Sequence, residues 1–277
     1  SLSASMSQTV IRTRRLMRLF QEVREQTGSI PSAVGYTGRV VLRKVPLALR
    51  QARMATHYGA TVREIQQAKH TLGEAVPLIG IKVSGGLGDY MVIARFLRDL
   101  RAYCGGLAFD VFSTHPDQAR WIFGAVEGLR SCHDDMLFEF TLNSYDIAAR
   151  VSQFIVFHEK LARWSDVRRH PQLARAVGNA MRYRPKIEPF IERHPYLDGF
   201  LAQKAVYANR TRADYLHHIA GIPYGGDRLD IPADGEAPAR FGLSPKRYIT
   251  VHNGYDPGFV IRNESATKCY PAFGAVI

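Results

Sequence analysis

The chain has 277 residues, 46% hydrophobic and 22% charged, enough for one large domain or two ordinary ones. No apolar run approaches the ~20 residues of a membrane-spanning helix. Three cysteines, Cys104, Cys132 and Cys269, are too few and too widely spaced for a disulfide framework or a cysteine-built zinc site, which points to a reducing, cytoplasmic setting. The formal net charge is +12, and residues 1–76 hold twelve Lys/Arg against four Asp/Glu, so most of the surplus sits there. Such a segment is either a solvated helical face or a surface for an anionic partner: a membrane, an acidic glycolipid or nucleic acid.

Residues 1–75 are predicted to form a basic helical extension. Leu16, Leu19, Phe20 and Val23 repeat at helical spacing over 9–27, with arginines opposite and Gly28 as a stop. A turn-rich stretch over 29–38 and helices over roughly 39–56 and 60–72 follow. The rhythm then changes. "VPLIGIKVS" (76–84) is apolar without alternation, as in a strand buried on both faces. "DYMVIARFLRDLRAYC" (89–104) carries Ile93, Phe96, Leu97 and Leu100 on one helical stripe and ends at Gly105–Gly106. "LAFDVFS" (107–113) is a second strand and "HPDQARWIFGAV" a second helix, which makes a βαβ unit with a parallel sheet. "MLFEFT" (136–141) and part of 148–157 are predicted strands, and 158–220 is predicted mostly helical. A Pro/Gly/acid-rich linker over 231–246 precedes a fresh strand, "RYITVHNG" (247–254), the start of a second α/β domain. The expected division is therefore an extension (1–75), an N-terminal Rossmann-like domain (76–240) and the beginning of a second (241–277), in which the chain stops.

"KVSGGLGDY" (82–90) joins the first strand to its helix. Gly85, Gly86 and Gly88 permit a sharp turn and leave room for a ligand near the main chain. The helix start favours phosphate or carboxylate. The spacing is neither G-x-G-x-x-G nor a P-loop. Two roles fit Asp89: the N-cap of the helix, or a general base aimed into a cleft at the carboxyl ends of the strands.

"IKVSGGLGDYMVIARFLRDL" resembles the first strand-loop-helix of the ADP-heptose:lipopolysaccharide heptosyltransferase family, which has the GT-B fold. "ITVHNGYDPGFVIRNESATKCYP" (249–271) resembles the opening of that family's second domain. The resemblance implies Asp89 as catalytic base and Lys268, within "TKCYP", as the lysine at the donor's phosphate or sugar, with Thr267 beside it. Tyr270 stands where the family more often has Trp, and the extension lies outside the family pattern. The later nucleotide-binding segments are missing, so the chain is expected to be a fragment or one half of a working unit. Glycogen synthases have a related glycine loop that fits 82–87 and also implies GT-B. His252, Asn253 and Arg262 are candidate phosphate or sugar contacts, or simply loop-capping and surface groups.

"CHDD" (132–135) lies on a predicted loop without a third metal ligand, and "HH" (217–218) on a predicted helix whose neighbours face apart. The sequons "NRT" and "NES" carry no meaning in a cytoplasmic chain, and no RNA-binding signature accompanies the aromatic-basic mix of 158–193. The expectation is an inverting glycosyltransferase, without metal or cofactor. It would move a sugar, ADP-heptose being the best donor, to a hydroxyl on a glycan, lipid-linked or protein acceptor. It would be cytoplasmic, touching the inner membrane surface through residues 1–75 and binding no specific nucleic acid. The contrasting reading is a non-catalytic module that binds membrane or polyanion.

Overall fold

A computed structural model describes residues 21, 24–25, 28–31, 34, 57–192, 198–232 and 235–244. The chain divides into two compact units, 1–231 and 232–277. In the first, five strands form one sheet in the order β3-β2-β1-β4-β5: β1 (Leu78–Val83), β2 (Ala108–Ser113), β3 (Leu129–Asp134), β4 (Ile147–Val151) and β5 (Ile155–Phe157). The pairs β1–β2, β2–β3 and β1–β4 are parallel, with Leu78 opposite Ala108 and Ile79 opposite Ile147. Only the short β4–β5 hairpin is antiparallel. The expected βαβ unit is present, and the unalternated runs over 78–83 and 108–113 are buried on both faces, because helices cover both.

One face packs against α2 (Leu87–Cys104), α3 (Pro116–Phe123), the long α6 (Pro171–Glu192) and α8 (Tyr215–Ala220). Ile79, Ile81, Phe109 and Val111 project there onto Ile93, Phe96, Leu97, Leu100, Leu173 and Val177. The other face packs against α1 (57–72) and the 135–144 segment. Leu78, Ala108, Phe112 and Ala148 meet Ile65, Leu137, Phe138 and Tyr145 there. Gly80 makes room for that layer, since a Cβ would lie 2.6 Å from the Tyr145 ring. The helix predicted over 60–72 is thus α1, and it belongs to the core of the sheet's second face. Lys69 ties it down by pairing with Asp146 and with Asp166, the latter at 2.7 Å.

Three expectations need correction. "MLFEFT" is no strand: Asp134 accepts the Met136 N–H at 2.9 Å and starts a 3₁₀ turn that runs into α4 (Phe138–Thr141). That segment buries Leu137 and Phe138 as a helical cover, with Phe140 half exposed. "CHDD" is no loop, because Cys132–Asp134 form the end of edge strand β3. In the stretch expected to be turns, Ile30, Pro31 and Val34 are helical. Gly28 does close the segment before it, with φ 62° and its N–H on the Arg24 carbonyl at 2.8 Å. The rest of 1–56 and the strand expected over 247–254 lie outside the described residues. In unit 232–277 the described part contains a short helix, α9 (Ala237–Arg240). Two further helices, α5 (Trp164–Arg169) and α7 (Asp198–Tyr207), complete 158–220 as mostly helical.

Candidate functional site

β1 runs directly into the glycine turn, where the Ser84 N–H donates to the Val151 carbonyl at 3.2 Å. Gly85 has φ 119°, a conformation that side chains other than glycine's avoid, and a Cβ there would overlap the Asp89 carboxylate. Gly86, extended at φ −90°, is the N-cap of α2. Asp89 is therefore not the N-cap but the third helical residue: its Oδ2 accepts the Gly86 N–H at 2.8 Å. That is the carboxylate half of a capping box, and it suits the positive end of the helix. Gly88 lies inside the first helical turn rather than in the loop, and neither Gly86 nor Gly88 has a neighbour that a Cβ would touch.

The other Asp89 oxygen, Oδ1, pairs with Arg212 Nη2. Arg212 lies on the turn between α7 and α8, far along the chain. Nothing in the local sequence marks it as a partner of the glycine loop. The turn is held by Asp214, whose Oδ1 accepts from the Thr211 N–H at 2.6 Å and its hydroxyl at 3.0 Å. Burial would raise the Asp214 pKa, but these donors and Arg210 outweigh it and hold it below the ordinary value. Asp89 remains 31% exposed and Arg212 37%. The carboxylate is thus oriented on both oxygens and still open to solvent.

Strands β1–β3 progress to one side, and the chain then crosses to place β4 on the other side of β1. The carboxyl ends of β1 and β4 flank this reversal, the position where open α/β sheets bind ligands. A cavity of about 670 Å³ lies here. It is bounded by Ser84, by Arg150 and Ser152 at the end of β4, by the turn after β5 and by Arg184 of α6. Ser84 also opens the glycine turn, so cavity and turn share a boundary, although Asp89 does not line the cavity. A smaller cavity of about 310 Å³ sits at the opposite edge of the sheet, around Lys69, Asp146 and Asp166, and its charges are spent on fixing α1.

A second polar cluster secures the end of this unit. Asp99 of α2 is 8% exposed and accepts from His217 Nε2 at 2.9 Å, the Gly225 N–H at 2.8 Å and Arg98 Nε at 2.8 Å. Arg98 also donates to the carbonyls of Gly226, at 3.0 Å, and Arg228. The 222–231 segment is thereby strapped to the helix that begins at the glycine turn. As expected of neighbours on a helix, His217 is buried against Asp99 while His218 lies beside Tyr183. Burial pushes the Cys104 thiol up to about 12 and Cys132 to about 11, so neither is a ready nucleophile. Among the described residues no group of three or more His, Cys, Asp or Glu is placed to hold a metal ion. Nor is any helix there long and apolar enough to cross a membrane.

Of the residues singled out by sequence, Gly85, Gly86, Gly88 and Asp89 come together at the carboxyl edge of the sheet. His252, Asn253, Arg262, Thr267 and Lys268 lie outside the described residues. No family model, curated protein or solved structure matches the chain, so its fold class stands as an α/β unit with a five-stranded, mostly parallel, Rossmann-like sheet.

Proposed function

We propose that the chain belongs to a glycosyltransferase of GT-B type, with its α/β unit on the acceptor side and residues 241–277 on the donor side. The reaction would move a sugar from a nucleotide-diphosphate donor, ADP-heptose by resemblance, to an acceptor hydroxyl. Asp89 takes the hydroxyl proton as the oxygen attacks the anomeric carbon. The bond from that carbon to the diphosphate breaks, the electron pair leaves with the diphosphate, and the configuration inverts. Lys268 offsets the charge that grows on the leaving group, with Thr267, Arg262, His252 and Asn253 as donor contacts. The observation that carries this reading is the Asp89 carboxylate, set by Gly86 and Arg212 yet solvent-accessible where β1 enters its helix. A carboxylate oxygen has two lone pairs, so each keeps one for an incoming proton.

The contrasting reading, a binding module without catalysis, draws on the same contacts: both Asp89 oxygens are already in use, as in a purely structural cap. Release of ADP from ADP-heptose, with and without a panel of acceptors, separates the two. Asp89→Asn is expected to keep the fold and lose about 10²–10⁴ in turnover. Wild-type turnover in that variant would return the residue to its capping role.

A further inference from the structure

We propose that the cavity beside the β4–β5 hairpin is a binding site for a sugar-sized acidic ligand, its phosphate or carboxylate held by Lys160, Arg150 and Arg184. The chemistry follows from the lining. Three cations face one carboxylate, Glu159, and that carboxylate is already tied to Arg184 at 3.1 Å. Arg150 is held in place by Glu139 and Arg184 additionally by Glu188, both of which lie outside the lining. Each guanidinium is thus paired with an acid outside the lining, which biases its orientation. A planar fork with five N–H donors keeps some of them for an anion even while it is paired in this way. Lys160 is exposed and pairs with no other described residue.

The rest of the wall suits the body of a sugar. The Ser84 and Ser152 hydroxyls bond no other described residue, and Phe154, Val156 and Leu161 supply apolar faces for C–H groups. The volume, about 670 Å³, is in the range of small-molecule sites. Its place at the strand-order reversal, one residue from Gly85, sets a ligand beside the turn that carries Asp89. The proposal deepens the transfer reading, on which it rests for the sugar body of the ligand.

The test is calorimetric titration of the 277-residue chain at low salt with four probes: a hexose phosphate, a hexuronic acid, the neutral hexose and inorganic phosphate. The hexose phosphate or the uronic acid should bind at least about tenfold more tightly than the neutral hexose, since a charge-assisted hydrogen bond is worth about that factor or more. Lys160→Ala should weaken binding about tenfold, and Arg184→Ala more. Lys160 is exposed and forms no hydrogen bond or ion pair with another described residue, so its variant keeps the fold even where loss of Arg184 disturbs α6. Equal binding of the neutral hexose, or unchanged affinity in Lys160→Ala, overturns the assignment. Inorganic phosphate binding as tightly as the hexose phosphate overturns the sugar part. Asp89→Asn should bind the hexose phosphate like wild type, because Asp89 is not in the lining. Normal transfer by that variant, with acidic-sugar binding intact, would sink the catalytic reading alone.

Discussion

Replacing Gly85 by alanine tests the geometry of the glycine turn most directly. At φ 119° an L residue is strained, which costs roughly 1–3 kcal/mol. The added Cβ would also occupy the space of the Asp89 carboxylate, so Asp89 must rotate away and give up the Gly86 N–H. Losing that cap contributes about 1 kcal/mol more. The sum, about 2–4 kcal/mol, should lower the urea midpoint of the α/β unit by about 1 M, read by far-UV circular dichroism. Gly88→Ala is the matched control. It sits in the first turn of α2 with nothing near its Cβ, and alanine there should be neutral or stabilising by up to ~1 kcal/mol. If Gly85→Ala and Gly88→Ala unfold at the same urea concentration, the turn does not have the shape described.

The sequence made some of this structure legible and hid other parts for physical reasons. β1 and β2 are central strands covered on both faces, so their residues are apolar in unbroken runs and their boundaries fall within one or two positions of the expected ones. β3 carries no such signature. It is an edge strand, "LRSCHD", in which Cys132 and His133 are buried while the other positions are half exposed, and its polar letters resemble a loop. "MLFEFT" misleads in the opposite way. Its aromatic and apolar letters suit a strand by propensity, yet the chain must cross from β3 to β4 over the second face of the sheet. There the segment folds as a helical cap over Phe112. Asp89 was visible as a carboxylate at a helix start, but its setting by Arg212 was not. A contact that spans 123 positions leaves no local periodicity. The cavity was hidden likewise, because Ser84, Arg150, Lys160 and Arg184 meet only once β4 has been inserted beside β1.

Four further outcomes are expected. Arg212→Ala should cost at most about 1 kcal/mol in stability, because both partners are a third exposed. Under the transfer reading it should lower turnover while leaving donor binding unchanged, and equal turnover would exclude a positioning role. Residues 1–76, with their surplus of Lys/Arg, should bring the chain down with anionic but not neutral vesicles, and less so as salt rises; equal sedimentation with both would refute it. Lys268→Ala should reduce turnover by about 10²–10³ with a smaller loss of donor affinity, and unchanged turnover would remove the residue from the mechanism. The last concerns acid stability and the 222–231 strap. Burial among the rings of Phe96 and Tyr224 lowers the His217 pKa below its ordinary 6.5, and Asp99 offsets this only in part. Burial lowers His158 and His218 as well. Each folded-state value is below the unfolded one, so as pH falls through about 6.5 the unfolded chain takes up protons that the folded chain resists. Stability should therefore be full above that point and decline below it, until each histidine reaches its own folded-state value. Asp99 does not counter the trend in this window. Burial would raise its pKa, but Arg98, the Gly225 N–H and His217 hold it below the usual 3.8, so the stability it contributes is lost only under stronger acid. Urea midpoints taken between about pH 5 and about pH 8 should rise with pH up to about 7 and then level off. A flat profile between about pH 5 and 7 would mean that these histidines are protonated in the folded chain as readily as in the unfolded one.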